Sequence, residues 1–455
     1  MLTSPAHRRA RPHRLIALLV VAALVAACGG SRDGNDDAAT ETTVPGAQPS
    51  VAREASDDGV TEDTITVGIL VGDLEKLVQI GFASDIGDVR AIYETFLVAP
   101  NASGGINGRQ IDWVYREFDL VAGESSMRDA CEQLFKDARP FVVLTSSGFT
   151  DGMPCLTQEH DTPVIATESF PASAYADAKG NLFTIPASSQ VSVAAMVELL
   201  HASGAFDGKT LGVLYGDRPG MAETVESGLE PALARAGLSL AAKVQITGPS
   251  SDPTVFTQFP AAIDAFKGAG VDGLIVLHDS FLATNFLTSA AKAGFTPAVF
   301  GSDYQHIADP TVLPFIENYQ AEAAFDGMLG VTYSRTGDDT AGLPADSADA
   351  GCHARYAASR APQIPDYGTQ RWAQLAVICH QVDTLLRALR QAGPNPTRDS
   401  FREAMTNMPS MHLGFGGQGS FAPGKQDAAD EFRIIRYDAA TRTFVPVQGY
   451  AAAGR

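Results

Sequence analysis

Leu211-Gly212-Val213-Leu214-Tyr215 is followed by an amphipathic stretch from Ala222 to Ala236 and then by a second strand-like run, Ala242 to Ile246. A short apolar run rich in β-branched residues and bounded by glycine or polar residues reads as a buried strand. Apolar residues spaced three and four apart read as a helix. The alternation continues with a helix from Ala261 to Ala269, a strand Gly273 to Leu277, a helix Ala283 to Ala293 and a strand Ala298 to Phe300. Strands that are apolar on both faces, each followed by a helix, describe βαβ units and a parallel sheet covered on both sides.

Upstream, the same pattern has already run once. Ile65 to Leu70 is a strand, and a helix covers Asp88 to Ala99 with Val89, Ile92, Tyr93 and Phe96 on one face. Ile111 to Glu117 is a strand, and Ser125 to Asp137 a helix with Ser125 or Ser126 as its cap. Phe141 to Leu144 and Val164 to Ala166 are strands, and the helix Val191 to Ser203 opens the second series. Two such series imply the α/β class: two doubly wound parallel-sheet lobes.

In doubly wound sheets, ligands bind outside the carboxyl ends of the strands. The segments at those places are small and polar. They are Val71-Gly72-Asp73, Thr145-Ser146-Ser147-Gly148-Phe149-Thr150 and Thr167-Glu168-Ser169-Phe170 in the first series. In the second they are Gly216-Asp217-Arg218-Pro219-Gly220, His278-Asp279-Ser280-Phe281 and Gly301-Ser302-Asp303-Tyr304. Hydroxyls and backbone amides suit anionic groups, carboxylates suit cations, and Phe149, Phe170 and Tyr304 offer aromatic walls. Serine, aspartate and glycine are also ordinary turn and cap residues. Their recurrence after strands in both series is what points to a shared cleft.

The N-terminus carries Arg8, Arg9, Arg11 and Arg14, then an apolar stretch from Leu15 ending in Val25-Ala26-Ala27-Cys28. A basic start, a short apolar core and small residues describe an export signal, too short to remain as a membrane span. The cysteine after two alanines makes it similar to a bacterial lipoprotein signal, with residues 1–27 removed and Cys28 acylated. Residues 28–60 hold no aromatic residue and are rich in Asp, Glu, Ser, Thr, Gly and Pro, the composition of a disordered tether. The expected location is extracytoplasmic, on the outer face of the cell membrane.

The full chain has a net charge of −20 from 33 Lys and Arg against 53 Asp and Glu. Cleavage before Cys28 removes four arginines and no acid, leaving the mature chain about −24. That balance argues against nucleic acid or an anionic membrane surface as a partner. Four cysteines remain: Cys131, Cys155, Cys352 and Cys379. An even number in an exported chain suggests two disulfides, with nearest neighbours favoured among three possible pairings. Cys352-His353 and Cys379-His380 could instead offer a zinc site, but without the tight C-x-x-C spacing. No metal or cofactor is expected.

Gly104-Gly105-Ile106-Asn107-Gly108-Arg109-Gln110-Ile111 resembles the G-G-I-N-G-R/K-x-I hairpin of type I periplasmic binding proteins, the leucine/isoleucine/valine-binding group of ABC importers. Ser251-Asp252-Pro253, Gly270 to Val276, Phe415 to Phe421 and Phe432 to Tyr437 resemble later landmarks of that group in the same order. The resemblance covers roughly Ile65 to Val447, and the Cys131–Cys155 spacing resembles a disulfide of the group. It implies lobes joined by a three-crossover hinge, with 61–187 plus 331–414 in one lobe and 188–330 plus 415–455 in the other.

By the same resemblance, Ser146, Ser147 and Phe149 hold a ligand carboxylate through hydroxyls and amides, assisted by Thr167, Glu168 and Ser169. Asp303 meets an ammonium, and Phe149 and Tyr304 wall the middle of the ligand. There are departures: a Pro-Leu-Ser/Thr-Gly-like first turn is replaced by Gly72-Asp73-Leu74-Glu75-Lys76, and a second-lobe tyrosine by Asp217-Arg218-Pro219-Gly220. Glu168 adds a negative charge where a carboxylate would sit. Asp217, Arg218 and Glu168 thus retune the site toward extra polar groups, or else stand as solvent-facing charges. The implied function is a lipid-anchored binding protein that captures a small polar metabolite, amino acids first, for an ABC permease in the membrane. A ligand-sensing receptor subunit without transport is the alternative.

Enzyme motifs are weak. Gly414 to Gly419 formally matches G-x-G-x-x-G, but a Ser-Phe strand rather than a helix follows it. The sequence contains no G-x-S-x-G, H-E-x-x-H or P-loop pattern. A secreted hydrolase using Ser147 with a distant histidine is the remote enzymatic reading.

Overall fold

The computed structural model describes residues 52–455 except 81–82, 251, 339–346, 361–363, 366–368 and 414–415. The signal segment, Cys28, the first part of the expected tether, Ser251 and the expected crossover at Gly414-Phe415 lie outside the described residues.

The first sheet consists of β1 (Thr64–Asp73), β2 (Gln110–Asp119), β3 (Val142–Ser146), β4 (Val164–Ala166) and β5 (Leu182–Thr184). All are parallel, in the order β2-β1-β3-β4-β5. The second sheet contains β6 (Leu211–Gly216), β7 (Leu240–Ile246), β8 (Gly273–Leu277), β9 (Ala298–Ser302) and β10 (Leu329–Thr332). Its parallel part runs β7-β6-β8-β9-β10, the same order again. After a short hairpin of β11 (Met411–His412) and β12 (Gln418–Gly419), the chain returns to this sheet. There β13 (Glu431–Asp438) pairs antiparallel with β10, and β14 (Thr443–Pro446) and β15 (Ala451–Ala452) pair with β13. The second sheet is therefore parallel with an antiparallel edge, because its last strands come from a hairpin rather than from βαβ units.

β5, β10 and β14 are three or four residues long and carry too little periodicity to be read as strands from sequence. The expected helix Ala222 to Ala236 is interrupted by a wider turn at Thr224–Leu229, where Thr224 Oγ1 donates to the carbonyl of Gly220 at 2.7 Å. The helix Glu124–Asp137 starts after Gly123, and neither Ser125 nor Ser126 caps it. Ser126 Oγ accepts the amide of Asp119 instead.

The long helix Gln370–Ala392 packs on the helix Val89–Val98 over the first sheet. Gln381 is fully buried there. Its Nε2 donates to the carbonyls of Thr145 (2.9 Å) and Ile165 (2.6 Å), and its Oε1 accepts from Tyr93 at 2.6 Å. One amide thereby ties a late helix to the carboxyl ends of β3 and β4. The helix Ser189–Ala202 packs on the second sheet.

The hairpin after the helix Val89–Val98 closes through reciprocal bonds between Ile106 and Arg109. Its Asn107-Gly108 turn takes positive φ at both residues, as such tight turns demand. Arg109 is buried and donates to the carbonyls of Thr61 and Glu54. Residues 52–60 of the expected tether are instead docked on the body. Asn395 bonds both Ala52 and Glu54, Ser56 donates to the carbonyl of Pro396, and Val60 is 3 % exposed. A side chain more than three hundred residues away orders these backbone groups, which composition alone does not show.

Cys131–Cys155 and Cys352–Cys379 are disulfides, so the Cys–His zinc arrangement has no thiolate to offer. Separations of 24 and 27 residues imply that each bond stabilises by about 3 kcal/mol through denatured-state entropy. Replacing Cys131 and Cys155 together by serine is expected to lower unfolding free energy in urea by about that amount. An unchanged midpoint and slope would contradict it.

Candidate functional site

Gly72, near the end of β1, lies against the loop after β3: a Cβ there would meet the Ser147 carbonyl oxygen at 2.2 Å. This close approach places the β3 loop at the switch point of the first sheet, where strand order reverses. Ser147 (φ 60°) and Gly148 (φ 94°) are both left-handed. The turn aims the Gly148 N–H at Glu168, whose Oε1 accepts it at 2.8 Å. Thr145 Oγ1 and Thr167 Oγ1 stand 3.4 Å from the same carboxylate. Burial pushes the Glu168 carboxyl up, and the Gly148 amide opposes that shift.

In the second sheet, Asp303 follows β9. Its Oδ2 accepts the amide of Tyr333 at 2.8 Å and the hydroxyl of Thr332 at 3.2 Å. Burial nevertheless raises the carboxyl to about 6. The next turn is strained, with Gln305 (φ 67°) and His306 (φ 63°) left-handed in succession. His306 Nδ1 lies 2.6 Å from Asp309 Oδ2, and its carbonyl accepts from Ser280 Oγ. Asp309 above all, then Asp303 and Glu168, raise the His306 imidazole to about 9. The side chain is 62 % exposed, so water screens part of that attraction.

The mutual influence of Glu168 with His306 and Tyr333 brings the strand-end loops of the two sheets into one electrostatic neighbourhood. Three carboxylates and one imidazole leave it net negative and rich in acceptors. Ser302 Oγ, at the last position of β9, is buried without a hydrogen-bond partner among the described residues. Ser146 Oγ, at the matching position of β3, neighbours the Tyr93 hydroxyl.

The sequence-derived candidates divide clearly. Ser147, Thr167, Glu168 and Asp303 belong to this neighbourhood, and Ser146 lies buried beneath it. Ser169 Oγ donates to the carbonyl of Ala187 at 2.6 Å, holding the β4 loop to the chain that leaves the first sheet. Phe149 lies in the core rather than at the strand-end surface. It is fully buried with its ring edge-on to Phe118 at 5.3 Å, inside the first sheet's core. Tyr304 is 4 % exposed, with the Thr224, Gln305 and Ser189 side chains around its hydroxyl. Asp217 and Arg218 are exposed: Asp217 accepts the amide of Gly248, and the Arg218 charge acts on Tyr304.

Sequence reading missed His306, Asp309 and Tyr333. Tyr333 is half-buried among Asp303, Asp309 and Glu168. Asp303, His306 and Asp309 recur at three-residue spacing, the one signal available in sequence. Two surface cavities of about 320 and 340 Å³ lie elsewhere, on helices such as Phe259–Gly268 and Gln370–Ala392.

The sequence profile of the periplasmic binding protein family matches residues 94–442. No curated protein sequence matches the chain. Among solved structures, a fatty acid ABC transporter substrate-binding protein from Thermomonospora curvata is similar with TM-score 0.62 and 16 % identity, over 87 % of this chain and 94 % of that one. A branched chain amino acid ABC transporter protein from Thermus thermophilus with bound valine gives 0.62 at 17 %, over 86 % and 97 %. A solute-binding protein from Rhodopseudomonas palustris HaA2 in complex with p-hydroxybenzoic acid gives 0.64 at 12 %, over 86 % and 98 %. At these identities the likeness establishes the fold.

The His306–Asp309 pair has a definite pH signature. A raised imidazole stabilises the folded state fully below its unfolded value near 6.5, and that contribution is lost as pH rises through about 9. Proton NMR is expected to show His306 titrating above 6.5 and returning toward it in Asp309→Asn. An identical titration in that variant would refute the pairing.

Proposed function

The chain belongs to the periplasmic binding protein family, and we propose that it captures a small, donor-bearing solute between the strand-end edges of its two sheets and delivers it to an ABC permease. In this reading β1–β5 lie in one lobe and β6–β10 with β13–β15 in the other, and the bridge between Thr184 and Asp427 keeps the chain on the first lobe past the expected crossing near Gly414. A carboxylate supports each of two crossovers in this reading. Asp427 Oδ2 accepts the amide of Ser188 at 2.7 Å, and Asp303 accepts that of Tyr333. The lobes would close about these points as a hinge. The export signal adds an extracytoplasmic site of action and an anchor at Cys28.

One observation carries the ligand class: the chain's own Glu168 occupies the Gly148 amide. Valine and p-hydroxybenzoic acid, held by the two solved neighbours named with ligands, each bring a carboxylate. In this protein Glu168 already supplies a carboxylate at the Gly148 amide, so the solute need not bring one. Glu168 and Asp303 then face it with acceptors for ammonium, amide or hydroxyl donors, and Tyr333 gives an aromatic side. A buried charge on either partner needs such compensation. An amino acid would have to displace Glu168 from the Gly148 amide, whereas an amine, amide or polyol would not.

Mass spectrometry of copurified solute, followed by calorimetry, tests this. Asp303→Ala is expected to weaken binding about 10- to 100-fold, the range for a lost charge-assisted hydrogen bond. With a cationic solute, affinity rises with pH through about 6 as Asp303 ionises, and Asp303→Asn removes that dependence. Glu168→Gln separates the two ligand classes. It weakens a donor-bearing solute but strengthens one whose own carboxylate takes the Gly148 amide, and the second result would sink the proposal. Recovery of a hydrolysed solute would favour an enzyme.

A further inference from the structure

On a chain this acidic, one surface groove is basic. It is a cavity of about 340 Å³ lined by Phe96, Pro100, Leu386, Arg355, Arg387 and Arg390, among others. Arg355 is held by Asp383 at 2.7 Å and lies over the Phe96 ring. Arg387 and Arg390 are exposed, and neither has an ion-pair partner among the described residues. Two free guanidiniums one helical turn apart, above an apolar floor, present forked donors to a tetrahedral oxyanion.

The groove adjoins the point where the N-terminal chain joins the body. Asn107 Nδ2 donates to the carbonyls of Leu389, Arg390 and Gly393, at the end of the same helix. Pro100, a lining residue, accepts the amide of Gly105 in that hairpin. Asn395 then holds Ala52 and Glu54. The chain leading back to Cys28 therefore leaves beside Arg390. With Cys28 acylated, the body is held within reach of the bilayer by a segment that joins it on this face.

We propose that the groove binds the phosphate of an anionic phospholipid headgroup and so fixes the orientation of the anchored protein on the membrane. The inference rests on the anchor reading. Charge complementarity supports it from both sides. The body as a whole is negative and is repelled by an anionic surface, so approach within a Debye length of about 10 Å at 0.1 M salt favours a face that carries unpaired arginines. Phe96, Pro100 and Leu386 offer the glycerol and first acyl carbons an apolar seat. Each arginine near an anionic surface adds about fivefold to association.

The test uses the full processed chain, purified in detergent and mixed with vesicles of phosphatidylcholine or of phosphatidylcholine with phosphatidylglycerol. Co-sedimentation with the neutral vesicles reads the anchor alone. The groove predicts tighter association with the anionic vesicles, about 25-fold for the two arginines, lost in Arg387→Glu/Arg390→Glu and at 1 M salt. It also predicts that anionic vesicles alone protect Arg387 and Arg390 from phenylglyoxal. Absence of neutral-vesicle binding would defeat the anchor while leaving the anionic increment to be read. Equal association with both vesicle types, or an increment the double variant retains, overturns the groove proposal. So would protection that requires an acidic protein rather than lipid.

Discussion

A parallel strand cannot be joined to its neighbour by a tight turn. Each pairing from β1 to β5 and from β6 to β10 therefore needs a return segment across a face of the sheet. The constraint covers both faces, makes the strands apolar throughout and delivers every strand-end loop to the same edge. The order β2-β1-β3-β4-β5 and its repeat β7-β6-β8-β9-β10 place a switch point in each sheet. Glu168, Asp303, His306 and Asp309 stand after β4 and β9, within each other's field.

The carboxylates at this edge first hold the protein's own backbone. Glu168 takes the amide of Gly148, Asp303 that of Tyr333 and Asp427 that of Ser188. Asp303 joins a hydroxyl series, Thr332, Ser334 and Thr336, whose members lie 2.8 and 2.6 Å apart. Thr336 offers its carbonyl to Arg433, which pairs with Asp338. Asp338 in turn pairs with Arg335, and Arg335 with the buried Asp349 beside His380. Every charge in this series has an opposite neighbour, as burial requires. A solute touching Asp303 would therefore touch the chain that crosses between the sheets.

Legibility in the sequence followed the kind of signal. The strands Val164 to Ala166 and Gly273 to Leu277 appear at the positions read, since apolar runs between glycine and polar residues have one stable reading. Helix ends shifted by a few residues because caps depend on geometry: Asp88 and Asp279 cap their helices, while Ser125 and Ser126 do not. The strand-end loops were located, but the packing of side chains within them was not. Phe149 and Tyr304 look available in sequence because aromatic residues after strands can face either way. Packing against Phe118 and hydroxyl bonds at Ser189 and Thr224 turned them inward.

By itself, the sequence determined the alternation of strand and helix, hence the class and the edge where the strand-end loops gather. It also determined the favoured cysteine pairing and the charge of the chain. These follow from local periodicity, composition and loop length. Tertiary structure alone decided that Glu168 occupies the Gly148 amide, that Phe149 and Tyr304 are buried while Tyr333 is half-buried, and that residues 52–60 dock on the body. It also decided that two free arginines meet an apolar floor beside that docked segment. Each joins groups tens to hundreds of residues apart, and their energies depend on distance and burial, which exist only once the chain has closed on itself.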